Sequence, residues 1–200
     1  MTQIGTGLIV TALRERRRGR VAVELDGRPW RVLPTDAVVR AGLAVGRPLE
    51  RTTARELARE IRRARALAAA TRSLAASDRS ERALDQRLAR AGHSAAARED
   101  AIASLARAGV LDDARVAESR AELLARRGYG DASIRADLRR RLVAQEATAA
   151  AVAALEPEPE RLRRLLEAQT VTPALLRRLA GRGFSRDALE EVASSFAPEA

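Results

Sequence analysis

Residues 79–117 read RSERALDQRLARAGHSAAAREDAIASLARAGVLDDARVA. Ser80 followed by Glu81 suits a helix start, with an oxygen for the first free amides and an acid at the positive end of the helix dipole. Leu84 and Leu88 fall four apart on one face. Gly92 can end that helix in the left-handed conformation that costs glycine little. Ser94 can cap the next helix, whose apolar face carries Ile102 and Leu105. Gly109 closes it, and Asp112 or Asp113 caps a third. One such helix-turn-helix unit cannot bury its own apolar stripe, so copies are expected elsewhere in the chain.

Two further segments align with it without gaps. Leu84 and Leu88 precede Ala91-Gly92-His93, with Ile102 and Leu105 after. Ile134 and Leu138 precede Arg141-Leu142-Val143, with Val152 and Leu155 after. Leu175 and Leu179 precede Arg182-Gly183-Phe184, with Leu189, Val192 and Phe196 after. Each segment has a leading helix, around 65–76, 113–127 and 159–169, which makes three tandem three-helix units. The spacing is 50 residues, then 41, because the linkers differ. The acidic run at 156–160 separates the second unit from the third, and Pro159 suits the first turn of a helix.

Before the repeats the pattern changes. Residues 7–13 and 21–27 are apolar and β-branched, 14–20 is a basic turn, and Asp26-Gly27 is the favoured two-residue hairpin signal. A third strand covers 29–34, where Pro29 favours an edge. Trp30 is expected in the core of this small meander. Thr35 or Asp36 should cap a short helix through Val38 and Val39. From Thr52 to Ala76 there is no Pro or Gly. With Thr53 as cap, a helix of roughly 22 residues would run about 33 Å. Leu57, Ile61, Ala64, Leu67, Ala68 and Leu74 fall on its apolar side, and Arg59, Arg62, Arg63 and Arg72 on the other. A 50-residue cap is too small to be very stable alone, so it should lean on the helices that follow.

The expected fold is therefore mainly α: three tandem three-helix repeats in an elongated curved arrangement, preceded by a small β-rich cap. The cap covers 1–50, a long connecting helix covers 51–78, the rest of the first repeat 79–111, the second 112–156 and the third 157–200.

Composition narrows the function. There is no Cys, so disulfides, thiolate metal sites and cysteine nucleophiles are excluded. No apolar run approaches the ~20 residues of a membrane helix, and a soluble, cytoplasmic protein is expected. The net charge is +10, every basic residue is Arg, and there is one His. Residues 1–111 hold 22 Arg against 12 acids, whereas 112–200 hold 15 of each. A basic half beside a neutral half suggests one face that meets a polyanion. Four aromatics (Trp30, Tyr129, Phe184, Phe196) make stacking on bases an unpromising main mechanism. Asp112 and Asp113 read as caps, His93 as a turn residue, and Gly128-Tyr129-Gly130 as a helix stop followed by Asp131 as cap. No nucleophile-base pair or metal-ligand cluster stands out. An enzyme is not expected, nor is a cofactor or metal.

The Arg clusters are the functional candidates: Arg79, Arg82, Arg87 and Arg90 in the first repeat, Arg135, Arg139, Arg140 and Arg141 in the second, and Arg177, Arg178 and Arg182 in the third. A stacked array of short helices offers a concave docking side. Guanidinium groups there could pair bidentately with carboxylates or phosphates.

The chain resembles the RecX family of regulatory proteins. The resemblance rests on Arg79-Ser80-Glu81 with Leu84 and Leu88, then Gly92, then Gly109-Val110-Leu111-Asp112-Asp113 running into Arg115-Val116-Ala117. Gly128-Tyr129-Gly130 before Ile134, Asp137 and Leu138 extends it. A monomer is expected. The resemblance implies binding to the RecA recombinase filament, lodging in it or capping it and restraining strand exchange and coprotease activity. It also implies weak, salt-dependent binding to single- or double-stranded DNA. Four positions depart from the family pattern: Ala91 replaces a basic residue, His93 a large apolar one, Leu142 a glycine, and Ala144 a Ser or Asp cap. Because Leu is costly in a left-handed conformation, the turn of the second repeat is expected to be differently shaped or looser.

Overall fold

The computed structural model describes residues 8–167 and 169–195. Gly7, at the start of the first expected strand, and Phe196, expected in the third repeat's core, lie outside the described residues. The elements run β1 (Val10–Arg16), β2 (Arg20–Leu25), β3 (Arg28–Pro34), α1 (Thr35–Arg40), α2 (Arg51–Ala76), α3 (Glu81–Arg90), α4 (Ala95–Arg107), α5 (Asp113–Arg126), α6 (Asp131–Arg140), α7 (Gln145–Ala153), α8 (Glu158–Leu166), α9 (Pro173–Gly181) and α10 (Arg186–Ser195). They divide between two compact units. The first holds the chain up to Ala76 together with Asp85–Leu105, and the second holds Ser77–Leu84 and the chain from Ala106 onward.

In the first unit, β1, β2 and β3 form an antiparallel meander. The turn between β2 and β3 is Asp26-Gly27 with φ of 48° and 74°, the pair of positive angles that matches the twist of a tight hairpin. Arg14 and Arg16 belong to β1, so the basic turn shrinks to residues 17–19. Val21, Val23 and Leu25 of β2 pack with Leu33 of β3, with Val38 of α1 and with Leu57 of α2. The cap thus borrows α2 to close its core, as its size requires. Trp30 is not in that core. It stands exposed on edge strand β3, with the Arg31 guanidinium 5.5 Å from its ring centre.

α2 is longer than expected, 26 residues, and begins at Arg51. Thr53 is inside it rather than capping it. Likewise α1 begins at Thr35, with Pro34 at its N-cap position, and neither Thr35 nor Asp36 caps it. The buried side of α2 passes from Leu57 to Ala66, Ala70 and Ser73. Ala66 packs against Ala97 and Ala101 of α4. Small side chains let these backbones approach, which a search for large apolar residues overlooks. Ile102 is correspondingly half-buried, while Ala101 is fully enclosed. Arg63 turns toward α4, 3.4 Å from the Ser104 hydroxyl, instead of lying on the solvent face.

In the second unit, Ile134, Leu138, Val143 and Val152 share a core with Ala117, Ala121 and Leu124 of α5. Leu162, Leu166, Leu175, Leu179, Phe184, Ala188 and Val192 form the core of the third repeat. Each fully buried Leu or Ile contributes about 1.5–3 kcal/mol through removal from water. α6 and α9 each end on a residue of positive φ, Leu142 at 59° and Gly183 at 87°. In both, the next amide closes back onto the last turn: Val143 N–H to Leu138 at 3.1 Å, Phe184 N–H to Leu179 at 3.3 Å. In the first unit, Gly92 has φ of 82° and His93 N–H bonds to Leu88 at 3.1 Å. The turn at Leu142 is therefore the same turn, neither reshaped nor loosened. Leucine here adopts the left-handed conformation that glycine adopts in the other two copies.

Candidate docking arginines

The eleven candidate arginines fall on α3, α6 and α9, or in the residues just flanking them. Arg79 and Arg82 belong to the second unit, Arg87 and Arg90 to the first. Arg79 is half-buried, and its enclosed Nε has no hydrogen-bond partner among the described residues. Arg82 and Arg87 are exposed and make no ion pair among the described residues. Arg90 donates to Gln86 Oε1 at 3.3 Å.

On α6 the charges are largely spoken for. Arg135 lies 3.5 Å from Asp131. Arg140 and Arg141 approach Asp137 at 3.3 and 3.0 Å. Asp137 is also gripped by Arg120 of α5 through two hydrogen bonds, 2.7 and 3.2 Å. The Arg120 hydrogen bond, helped by Arg141, holds the Asp137 carboxyl down at about 2, against the opposing effect of burial. Arg139 alone of this cluster is exposed and unpaired among the described residues. In the repeat register Asp137 stands where Arg87 and Arg178 stand in the other two copies, so the middle repeat interrupts the arginine row.

Arg177 and Arg178 on α9 are exposed and without ion pairs among the described residues. Arg182 and Arg141 occupy equivalent positions, each just before the left-handed residue, with φ of −87° and −82°. Their backbone carbonyls do equivalent work. The Arg141 carbonyl accepts from the Ser80 hydroxyl at 2.8 Å, and the Arg182 carbonyl accepts from the Gly130 N–H at 3.0 Å.

The acids tested in the sequence for chemistry are occupied as caps. Asp112 accepts from Arg115 N–H at 3.1 Å and caps α5, while Asp113, the first residue of α5, accepts at 2.8 Å from the Glu81 N–H at the start of α3. Asp131 does not cap α6, because Gly130 takes that position. Asp131 instead pairs with Arg161, which is buried and also donates to the carbonyls of Glu156 at 2.8 Å and Tyr129 at 3.2 Å. Glu158 receives the Asp131 N–H at 2.7 Å on one oxygen and the Ser185 N–H at 3.0 Å on the other. Sequence reasoning missed Arg161, Glu158 and the role of Asp137. The only signals were an Arg beside buried Leu162 and an acid within an Arg run. No group of three or more His, Asp or Glu side chains suited to a metal occurs among the described residues. No helix there is long and apolar enough to cross a membrane.

No protein-family model matches the chain, and no curated protein matches it. Solved structures do. The crystal structure of regulatory protein RecX superimposes with a TM-score of 0.77 at 19% identity, covering 94% of this chain and 99% of that one. The fold is that of RecX. RecX from Lactobacillus salivarius also matches, with a TM-score of 0.57 at 16% identity, over 67% of this chain and 96% of its own. At such low identity the likeness is one of backbone architecture. With His93 and Leu142 in place, the turn bonds His93 N–H to Leu88 and Val143 N–H to Leu138 are still made.

Proposed function

We propose that this protein regulates a RecA recombinase filament by binding it, lodging along it or capping it, and that it restrains strand exchange and coprotease activity. The observation that supports this most is the RecX fold over 94% of the chain. Among the candidate arginines, Arg82, Arg87, Arg139, Arg177 and Arg178 are exposed and make no ion pair among the described residues, so they are available to carry the contact. A guanidinium pairs with carboxylates of a protein and with phosphates of a DNA strand through the same forked geometry. In this reading the protein acts as a cytoplasmic monomer, without a catalytic step. RecA-driven ATP hydrolysis on single-stranded DNA, with substoichiometric protein added, tests it. The rate and the mean filament length should both fall, and unchanged values overturn the proposal.

A second reading, a basic helical-repeat DNA-binding protein with no recombinase partner, is favoured by the excess of ten positive charges within residues 1–111. It requires log affinity for single strands to fall with log salt by about 0.7 per phosphate contacted, with no effect that depends on RecA.

A further inference from the structure

The first unit contains a groove of about 930 Å³ between β3 and the C-terminal half of α2. Its floor is apolar, with Val32 and Pro34 from the strand and Ile61, Ala64, Leu67 and Ala68 from the helix. It is hollow because α2 carries alanines where larger side chains would fill the space. Val32, half exposed, projects into water there with nothing over it.

The rim has one sign. Arg18, Arg20, Arg65 and Arg72 border the groove, against a single acid, Asp36. None of these four arginines makes an ion pair or side-chain hydrogen bond among the described residues, unlike Arg140, Arg141 and Arg161. Arg18 also sits at φ 65°, a left-handed position where glycine or asparagine would be less costly by about 1–2 kcal/mol. The hairpin turn at Asp26-Gly27 meets the same backbone demand with favoured residues, so the Arg18 turn carries a cost that local structure does not require.

We propose that this groove is a docking site for an acidic amphipathic segment of a partner protein. Apolar anchors on the segment would cover the floor, and its carboxylates would meet the four guanidinium groups. A nucleic acid suits it less well. Phosphates could satisfy the rim, but the one aromatic ring among the residues lining the groove is the His93 imidazole, too little for successive bases to stack on, and the apolar surface would stay uncovered. From Ile61 to Arg72 the helix spans roughly 16 Å, the length of about three turns of a bound helix, so anchors at i, i+3 or i+4, and i+7 would fit. The site uses a surface different from the arginines of α3, α6 and α9 and does not depend on the RecA reading.

The test uses the full-length protein and a labelled 16-residue peptide, with Leu at those anchor positions and Glu at most others, read by fluorescence anisotropy. A scrambled peptide of the same composition and an oligo-dT strand are the comparisons. The patterned peptide should bind at least tenfold more tightly than the scrambled one. R65E/R72E should weaken it at least tenfold. A68W, which fills the floor, should do the same with unchanged circular dichroism. Both variants alter exposed positions, and if A68W disturbs folding the charge-reversed variant still decides. Equal affinity for patterned and scrambled peptides overturns the proposal. So does oligo-dT binding that is abolished by R65E/R72E and tighter than that of the peptide, which would make the groove a nucleic-acid surface.

Discussion

The Ser80 hydroxyl donates to the carbonyl oxygen of Arg141, 61 residues away, at 2.8 Å. The same hydroxyl accepts from Ala83 N–H at 3.2 Å, so one buried side chain both caps α3 and fastens it to the turn of the next repeat. One repeat later Gly130 does this with its backbone, donating its N–H to the Arg182 carbonyl. The contact is so close that a Cβ on Gly130 would collide with the backbone of Gly183 and Phe184. Ser80→Ala should therefore cost about 1–2 kcal/mol, from a lost cap and the lost bond to a part-buried carbonyl. Gly130→Ala should cost more, about 3 kcal/mol or above, through overpacking rather than backbone strain, since its φ of −80° suits any residue. Urea unfolding midpoints of the two variants check both values and their order.

Glu158 ties two helix starts together, receiving Asp131 N–H of α6 and Ser185 N–H just before α10. A carboxylate beside two free amides is also favoured by both helix dipoles. Glu158→Gln keeps one acceptor oxygen and loses the charge, so a loss of about 1 kcal/mol is expected. Glu158→Ala abandons both amides and should cost about 2–3 kcal/mol. Thermal unfolding should rank the variants in that order, and an equal loss would mean that only one of the two bonds matters.

Asp137 sets a pH dependence. Its carboxyl is held at about 2 in the folded chain, below the value of 3.8 for a free side chain. Because the folded value is the lower, the stabilisation is complete above about pH 4. It falls away as acid titrates the group between about pH 4 and 2. The size is about 1–2 kcal/mol after allowance for solvent screening. Asp137→Asn should flatten the stability profile in that window. At neutral pH it should cost about 2–3 kcal/mol, because the half-buried Arg120 loses its partner. Chemical unfolding at a series of pH values measures both effects.

The large apolar side chains of the repeats were legible before any coordinates. Leu84 and Leu88, Ile134 and Leu138, and Leu175 and Leu179 are all buried, in the register that aligned the three copies. Asp26-Gly27 was legible because two positive φ angles in sequence leave few residue choices. The contact between α2 and α4 was not. In a chain rich in alanine, Ala66, Ala97 and Ala101 carry too little apolar area for periodicity to single them out from exposed alanines. Trp30 misled because hydrophobicity alone cannot say which side of an edge strand is covered. Among the candidate arginines, the pairing of Arg140 and Arg141 with Asp137 follows from their three- and four-residue spacing on a helix. The grip of Arg120 from a neighbouring helix does not, and neither do the bonds made by Arg161.

Leu142 offers a test of what holds the second repeat's turn. Elsewhere a helix end of this type is made with glycine, as at Gly92 and Gly183, and here leucine adopts φ 59°. Leu142→Ala and Leu142→Gly remove the same half-buried side chain, so their difference isolates the backbone. In an ordinary helical site alanine is the more stable by about 1 kcal/mol. At this position the order should reverse, with the glycine variant more stable than the alanine variant by about 1 kcal/mol, because only glycine escapes the clash of Cβ with its own carbonyl. The neighbouring position should respond as well. Ala144 is the N-cap of α7 and supplies no side-chain acceptor. Ala144→Asp or Ala144→Ser should add about 0.5–2 kcal/mol by accepting from the free amides of the first turn. Combined with Leu142→Gly, the increments should not be strictly additive, because the two sites lie two residues apart in one turn. Urea midpoints of the four single variants and the Leu142→Gly/Ala144→Asp double variant would measure each increment. A glycine variant no more stable than the alanine variant would mean that the helices on either side, rather than the residue, fix the turn and absorb its strain.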